Sequence, residues 1–231
     1  MRPLRTASTK SSGFPSLRKR SGVAPAGAAE CSDTSAVIIV AGTNDPESAH
    51  LVGVTQRYTG KMPTVVDGDV VIVDDPDSDY LATPKDVIYV DYPTTLWPLG
   101  AAGYDDSTTQ GRSATASAIA GYQARCGVES DIVVAGYSQG ARVAGDVLAD
   151  IGNGRAEQVV ATDENGEVML DENGEPILVT IEPGGISGEL YSDPRRAGDK
   201  TGRGIELSLI GIIPGLTMSG PRGKSETDSG F

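Results

Sequence analysis

Two short segments of the chain consist almost entirely of apolar, mostly β-branched residues, and they predict buried strands. They are residues 37–40 and residues 132–135. Because neither segment alternates with polar residues, both are typical of parallel strands in a sheet that is covered on both faces. Residues 86–90 predict a further strand, which ends at the turn-forming residues 91–93.

Segments with helical periodicity follow two of these strands. The alanine-rich residues 107–124 predict a helix, and residues 105–107 offer its N-cap. Apolar residues at helical spacing predict a second helix over 141–151, which residues 152–154 (Gly-Asn-Gly) terminate. Strands that alternate with helices predict an α/β fold with a mostly parallel central sheet and helices on both of its faces.

Three Asp-Gly or Asn-Gly pairs predict tight turns outside this pattern. Asp67-Gly68 separates two valine-rich runs and predicts a β-hairpin. The tetrapeptide Asp-Glu-Asn-Gly occurs at 163–166 and again at 171–174, and each Asn-Gly pair suits a type I′ turn. We therefore predict a small β-meander insertion over residues 157–182. After it, residues 189–191 return to the core, and the alternation over 205–213 predicts a half-buried strand.

Charge divides the chain into two parts. Residues 1–29 contain six basic residues and no acidic one, although the whole chain has a net charge of −13. Residues 1–30 therefore predict a disordered basic leader, and residues 31–231 a single, strongly acidic domain. An acidic domain repels phosphates, so we expect the folded part to bind no nucleic acid.

Several other site types find no support in the sequence. No apolar stretch is long enough to span a membrane, and the N-terminus lacks the apolar core of a signal peptide. The spacing of zinc ligands and the glycine loop of phosphate sites are both missing, so we expect no metal and no cofactor. The acidic run 74–79 suggests calcium, but Tyr80 and Asp86 stand where a calcium loop needs Gly and Glu, which favours a solvated loop.

Residues 136–140 carry the strongest chemical signal of the chain. They match G-x-S-x-G with Ser138 at the centre, between the predicted strand 132–135 and the predicted helix 141–151. This strand–turn–helix setting is that of a nucleophile elbow, a strained turn that projects a serine hydroxyl into a cleft. The backbone N–H of Gln139, at the positive end of the helix, would point at a developing oxyanion.

Four segments of the chain, in order over residues 31–220, are similar to segments of known proteins. They are Cys31 with residues 37–43, residues 91–99, Cys126 with residues 131–141, and residues 191–196. The chain resembles the cutinase-like serine esterases. Residues 91–99 and 192–196 more closely resemble the PE-PPE domain, a cutinase-like hydrolase domain of mycobacteria, their relatives and some of their phages.

The resemblance implies an α/β-hydrolase fold and hydrolysis of acyl esters by a Ser-His-Asp triad. It makes Ser138 the nucleophile, with Gln139 and Thr43 as oxyanion donors, and it pairs Cys31 with Cys126 in a disulfide. From the spacing alone, free thiols are equally compatible with this cysteine pair. The implied substrate is a lipid or cell-envelope ester in an extracellular, cell-envelope or phage-associated setting.

The histidine of the triad departs from the family pattern. In these families the acid and then the base follow the nucleophile, yet the single histidine of the sequence, His50, precedes Ser138. A serine hydroxyl is a poor nucleophile without a base. Three explanations are open: the chain is truncated before the last strands of the family, it is a degenerate relative without activity, or His50 serves as an unusual base.

Two hypotheses for function follow from these observations. The first is a serine ester hydrolase that forms an acyl-enzyme on Ser138 and transfers the acyl group to water or to an alcohol. The second is a binding or structural module built on a catalytically incomplete hydrolase fold. Trp97 is compatible with an acyl-binding cleft under the first hypothesis, and with a place in the core under either.

Overall fold

A computed structural model describes residues 31, 35–59, 61–66, 69–74, 86–96, 102–155, 158–197 and 204–205 of the chain. The described secondary structure consists of eight strands and three helices, with a 3₁₀ turn at Ala49–Leu51 before the first helix. Their bounds are β1 Ser35–Val40, α1 Val52–Thr59, β2 Lys61–Val66, β3 Asp69–Asp74, β4 Asp86–Tyr89, α2 Tyr104–Cys126, β5 Asp131–Tyr137, α3 Gln139–Gly152, β6 Gln158–Val160, β7 Leu178–Thr180 and β8 Ile186–Tyr191.

A four-stranded parallel sheet forms the centre of the fold, in the order β4-β1-β5-β8. The two apolar runs of the sequence are its inner strands, β1 and β5, which pair from Ser35↔Asp131 to Val40↔Gly136. All six residues of β1 are buried. The predicted parallel sheet is confirmed. Its inner strands are almost entirely apolar because a strand that is covered on both faces has no position at which a polar residue would be solvated.

Helices cover both faces of this sheet, as predicted. Side chains of β1 alternate between the faces: Ile38 packs in one core cluster and Ile39 in the other. The first cluster includes the apolar faces of α2 and α3, and the second includes Leu51 from the 3₁₀ turn and Val54 from α1. The architecture is therefore the three-layer α/β arrangement expected from the sequence.

The start of α2 differs from the prediction. The N-cap is Gly103, with an extended backbone, and not a residue of 105–107. Asp105 and Asp106 lie in the first helical turn, where their carboxylates interact favourably with the positive end of the helix. Acidic residues are favoured both at the N-cap and in the first turn of a helix, so composition alone did not show which of these positions they would take.

Antiparallel pairs form two small sheets beside the central one. β2 pairs with β3 as the Asp-Gly signal predicted, although residues 67–68 lie outside the described part. β6 pairs with β7, and isolated bridges continue the β-meander through both repeats. The type I′ prediction was wrong: only the glycines, Gly166 and Gly174, have positive φ, whereas a type I′ turn needs positive φ at Asn as well.

Aspartate side chains account for the observed turn type. In the first repeat, Asp163 Oδ1 accepts the backbone N–H groups of Asn165 and Glu167, both at 2.9 Å. Asp171 repeats this arrangement with Asn173 and Glu175. With these Asx-type hydrogen bonds in place, the glycine of each repeat has positive φ and the asparagine does not.

Other predictions fall wholly or mainly outside the described residues. These are the basic leader 1–30, the acidic loop that follows Asp74, Trp97 and the strand predicted over 205–213.

Among the described helices, none is long and apolar enough to cross a bilayer. Cys31 and Cys126 form a disulfide, with their Cα atoms 5.7 Å apart.

The order of the strands locates a crevice. The chain leaves β1 towards β4 on one side, and it leaves β5 towards β8 on the other side. Such a reversal between neighbouring parallel strands opens a crevice at their carboxyl ends, where ligands bind in open α/β sheets. The loop after β1 and the turn after β5, which holds Ser138, meet at the carboxyl edge where such a crevice is expected, since Gly42 packs closely on Tyr137.

Candidate active site

Ser138 occupies a strained turn between β5 and α3. Its backbone lies at φ 54° and ψ −116°, a combination that residues with a side chain rarely adopt. Such a conformation costs about 1–3 kcal/mol, so it persists only where the surroundings impose it. Strain at a serine between a buried strand and a helix is the geometry predicted for a nucleophile elbow.

Close packing around the turn explains the two glycines of the motif. A Cβ at position 136 would lie well within 3.0 Å of the carbonyl oxygen of Gly140. A Cβ at position 140 would overlap the carbonyl oxygens of Val40 and Ala41 at the end of β1. The glycines therefore allow α3 to start directly against the central strand, which forces the sharp turn at Ser138.

Hydrogen bonds fix the backbone of Ser138 on both sides. Its N–H donates to the carbonyl of Tyr191 in β8 at 2.9 Å, and its carbonyl accepts the N–H of Arg142 in α3 at 3.1 Å. The half-buried Ser138 side chain makes no capping hydrogen bond to the helix that it precedes. The hydroxyl thus does not cap the N-terminus of α3, although serine is among the best N-cap residues.

Gln139 has a buried side chain that holds the site together. Its Nε2 donates to the carbonyl of Thr95 at 2.9 Å, and its Oε1 accepts from Ser107 Oγ at 3.4 Å. The N–H of Gln139 belongs to the first turn of α3, whose N–H groups have no partner within the helix. Of the two groups, the backbone N–H is the one suited to an oxyanion.

Thr43 lies in the turn after β1, close to the elbow. Gly42, which precedes Thr43, packs so tightly on Tyr137, which precedes Ser138, that a Cβ on Gly42 would lie 2.8 Å from Tyr137 Cδ1. The half-buried Thr43 therefore shares the carboxyl edge of the sheet with Ser138 and Gln139. The structure brings the predicted nucleophile and both predicted oxyanion residues to one edge.

The loop after β4 braces both halves of this arrangement. The carbonyl of Thr94 accepts the N–H of Asn44 at 2.7 Å, next to Thr43, while the neighbouring Thr95 carbonyl accepts from Gln139. Thr94 is buried and has a φ of 50°, so this loop is itself held in an unfavourable conformation. One loop thus fixes the turn of Thr43 relative to the start of α3.

His50 lies beside the elbow and is paired with an acid. Its Nδ1 is 2.8 Å from Oδ2 of the buried Asp45, and its ring stacks on Tyr137 with centroids 4.9 Å apart and planes 8° from parallel. The two carboxylate oxygens of Asp45 also accept the backbone N–H groups of Ala49 and His50. The loop after β1 therefore delivers an ordered carboxylate–imidazole pair to the same edge.

A second polar cluster lies on the same face of the sheet as Tyr137. Glu189 accepts hydrogen bonds from Tyr58 at 2.6 Å, from Tyr191 at 2.8 Å and from Arg57. Burial alone would raise the pKa of Glu189, but these three donors outweigh it and hold that pKa below its usual range. Burial and the bond to Glu189 raise the pKa of Tyr58 to about 12. At neutral pH, the cluster thus anchors α1 to β8 through an ionised carboxylate.

Sequence reasoning identified Ser138, Gln139, Thr43 and His50 but missed the partners that orient them. No role was predicted for Asp45, and Tyr137 occupies a variable position of the motif. The available signal was the position of Asp45, five residues before the single histidine. Among the described residues, no group of His, Cys, Asp or Glu is arranged to hold a metal ion.

A parallel sheet covered by helices on both faces, with a serine at a strand–turn–helix elbow, defines an α/β-hydrolase fold. A family model described as cutinase matches residues 47–173, which is more than half of the chain. The chain therefore belongs to the cutinase family. The match includes the elbow, α2, α3 and most of the meander.

No curated protein matches the chain. Among solved structures, the chain is similar to an iodinated complex of acetyl xylan esterase, with 20% identity and a TM-score of 0.37. The alignment covers 71% of this chain and 66% of that one, so the chain spans slightly less than two thirds of that esterase.

Proposed function

We propose that the protein is a serine ester hydrolase that cleaves acyl esters through an acyl-enzyme on Ser138. The observation that carries this proposal is the strained backbone of Ser138, at φ 54° and ψ −116°, at the carboxyl edge of the central sheet. Strain of this kind is maintained where a function requires it. Membership of the cutinase family supports the same chemistry.

The proposed substrate is an acyl ester of a lipid or of a cell-envelope component. The resemblance of residues 91–99 and 192–196 to PE-PPE domains supports this finer assignment. Ser138 attacks the ester carbonyl, and the N–H of Gln139 with the hydroxyl of Thr43 stabilises the oxyanion. Alcohol departs, and water then releases the acyl group from Ser138.

A fluorophosphonate probe tests the nucleophile directly. We expect one adduct on the wild-type chain, located at Ser138 by peptide mass spectrometry, because the phosphonate mimics an ester under attack. Ser138→Ala should abolish the adduct, while the exposed Ser113→Ala should leave it unchanged. A folded wild-type chain without an adduct would instead support the binding module. p-Nitrophenyl esters of increasing acyl length then measure the substrate preference.

Replacing Thr43 tests the oxyanion assignment. Thr43→Val removes the hydroxyl but keeps the shape, so we expect kcat/KM to fall about 100-fold, as when one oxyanion donor is removed. Thr43→Ser keeps the donor and should stay within a few-fold of wild type. If the valine variant were as active as wild type, the second donor would lie elsewhere.

A further inference from the structure

Asp45 and His50 have the internal geometry of an acid–base pair. The carboxylate of Asp45 is 5% exposed and faces His50 Nδ1 at 2.8 Å. An ionised carboxylate only accepts hydrogen bonds, so it holds the imidazole proton on Nδ1. The lone pair of a neutral imidazole then resides on Nε2, the nitrogen that can take a proton from another group.

The position of the ring connects this pair to Ser138. The imidazole of His50 stacks on Tyr137, the residue directly before Ser138. The side chain of His50 is 56% exposed, so the ring remains accessible to solvent. Among the described residues, the titratable groups that contact the ring are Asp45 on its own loop and Tyr137 on β5.

A purely structural role leaves this contact unexplained. Asp45 already starts the helical segment by accepting the N–H groups of Ala49 and His50. A contact to a mostly exposed imidazole adds little stability, since exposed ion pairs contribute about 0–1 kcal/mol. The contact and the stacking together fix the orientation of the ring, and the contact alone also fixes its tautomer.

We propose that His50 is the general base of Ser138 and that Asp45 positions it, in the chain order Asp, His, Ser. This inference rests on the proposed ester hydrolysis. The order differs from the family pattern, but the triad depends on geometry and recurs in unrelated chain orders. The loop after β1, which bears Thr43, would thus also supply the base.

The proton balance of the reaction is complete with these groups. His50 Nε2 takes the proton of Ser138 Oγ as Oγ bonds to the ester carbon. The imidazolium, stabilised by Asp45, then gives that proton to the leaving alkoxide, and the acyl-enzyme remains. Water attacks the acyl carbon while Nε2 takes its proton, and that proton returns to Ser138 Oγ as the acid departs.

Substitutions at His50 in the full chain test the base. His50→Phe keeps a flat ring for stacking on Tyr137 but cannot take a proton, so we expect kcat/KM on a p-nitrophenyl ester to fall about 10²–10⁴-fold. The rate of phosphonate labelling should fall in parallel. In His50→Ala, added imidazole should restore part of the activity, whereas His50→Phe, which fills the space, should show no such rescue.

Asp45→Asn tests the positioning role. The asparagine oxygen can still accept a backbone N–H, but its amide would face Nδ1 and move the imidazole proton to Nε2. We expect kcat to fall at least about 100-fold with little change in KM, because the wrong tautomer cannot act as a base. Thermal unfolding of each variant shows whether the fold is retained.

The outcomes separate the two proposals. If the wild-type chain labels at Ser138 and His50→Phe remains within 3-fold of it, the base lies elsewhere while the proposed function stands. An active His50→Ala variant that imidazole does not accelerate leads to the same conclusion. A folded wild-type chain that neither labels nor hydrolyses esters overturns the proposed function, and the role of His50 with it.

Discussion

Gly140→Ala is expected to prevent the domain from folding stably, with a loss of more than about 4 kcal/mol in the free energy of unfolding. The added Cβ would overlap the backbone carbonyls of Val40 and Ala41. Neither oxygen can move cheaply, because β1 is the buried inner strand of the sheet. Relief of the overlap requires α3 to move away, which separates Val143 and Ala144 from the core that they complete.

Urea denaturation followed by circular dichroism measures this effect. Gly53→Ala is the matched control, since a Cβ at Gly53 in α1 would meet no atom within 4 Å. Alanine is the better helix former, so the control should be unchanged or up to about 1 kcal/mol more stable. An equally stable Gly140→Ala would show that α3 does not pack against β1 as described.

The sequence was sufficient to predict the elements that form the elbow. β1 and β5 were identified because buried parallel strands leave long apolar runs, and α3 because its buried face recurs at helical spacing. The glycines of the motif are local requirements of the turn, so they were visible as letters. Family membership was also accessible, since the similar segments run in order along the chain.

Contacts between distant residues could not be predicted in the same way. The stacking of His50 on Tyr137 joins positions 87 residues apart, and it depends on which loops meet at the crevice. The bond from Gln139 to Thr95 similarly depends on the course of the loop after β4. Neither pair leaves a periodic signal, because each contact is made once and by side chains that are common in loops.

The turn error has a more local cause. Asn-Gly is the strongest signal for a type I′ turn, and it occurs in both repeats. The aspartate at the start of each repeat competes, because its side chain accepts N–H groups two and four residues later. Considering the whole tetrapeptide rather than the Asn-Gly pair alone would have favoured the observed turn.

Reduction of the disulfide is expected to lower the free energy of unfolding without affecting the candidate site. Cys31 and Cys126 close a loop with a sequence separation of 95 residues. A bridge across a loop of this length restricts the unfolded chain strongly, and we expect its removal to cost about 2–4 kcal/mol. Cys31 precedes β1 and Cys126 precedes β5, so the bridge lies at the amino edge of the sheet, opposite to Ser138.

Chemical denaturation with and without a reductant tests this expectation. The denaturation midpoint of the wild-type chain should fall on reduction, while the double variant Cys31→Ser/Cys126→Ser should unfold at one lowered midpoint in both conditions. Well below that midpoint, the rate of phosphonate labelling of Ser138 should be the same for both forms. If the labelling rate fell on reduction of the fully folded chain, the claim that the disulfide at the amino edge does not affect Ser138 at the carboxyl edge would be contradicted. In that case, the bridge would position the elbow through β1 and β5, whose carboxyl ends converge on Ser138, and would not act on the unfolded chain alone.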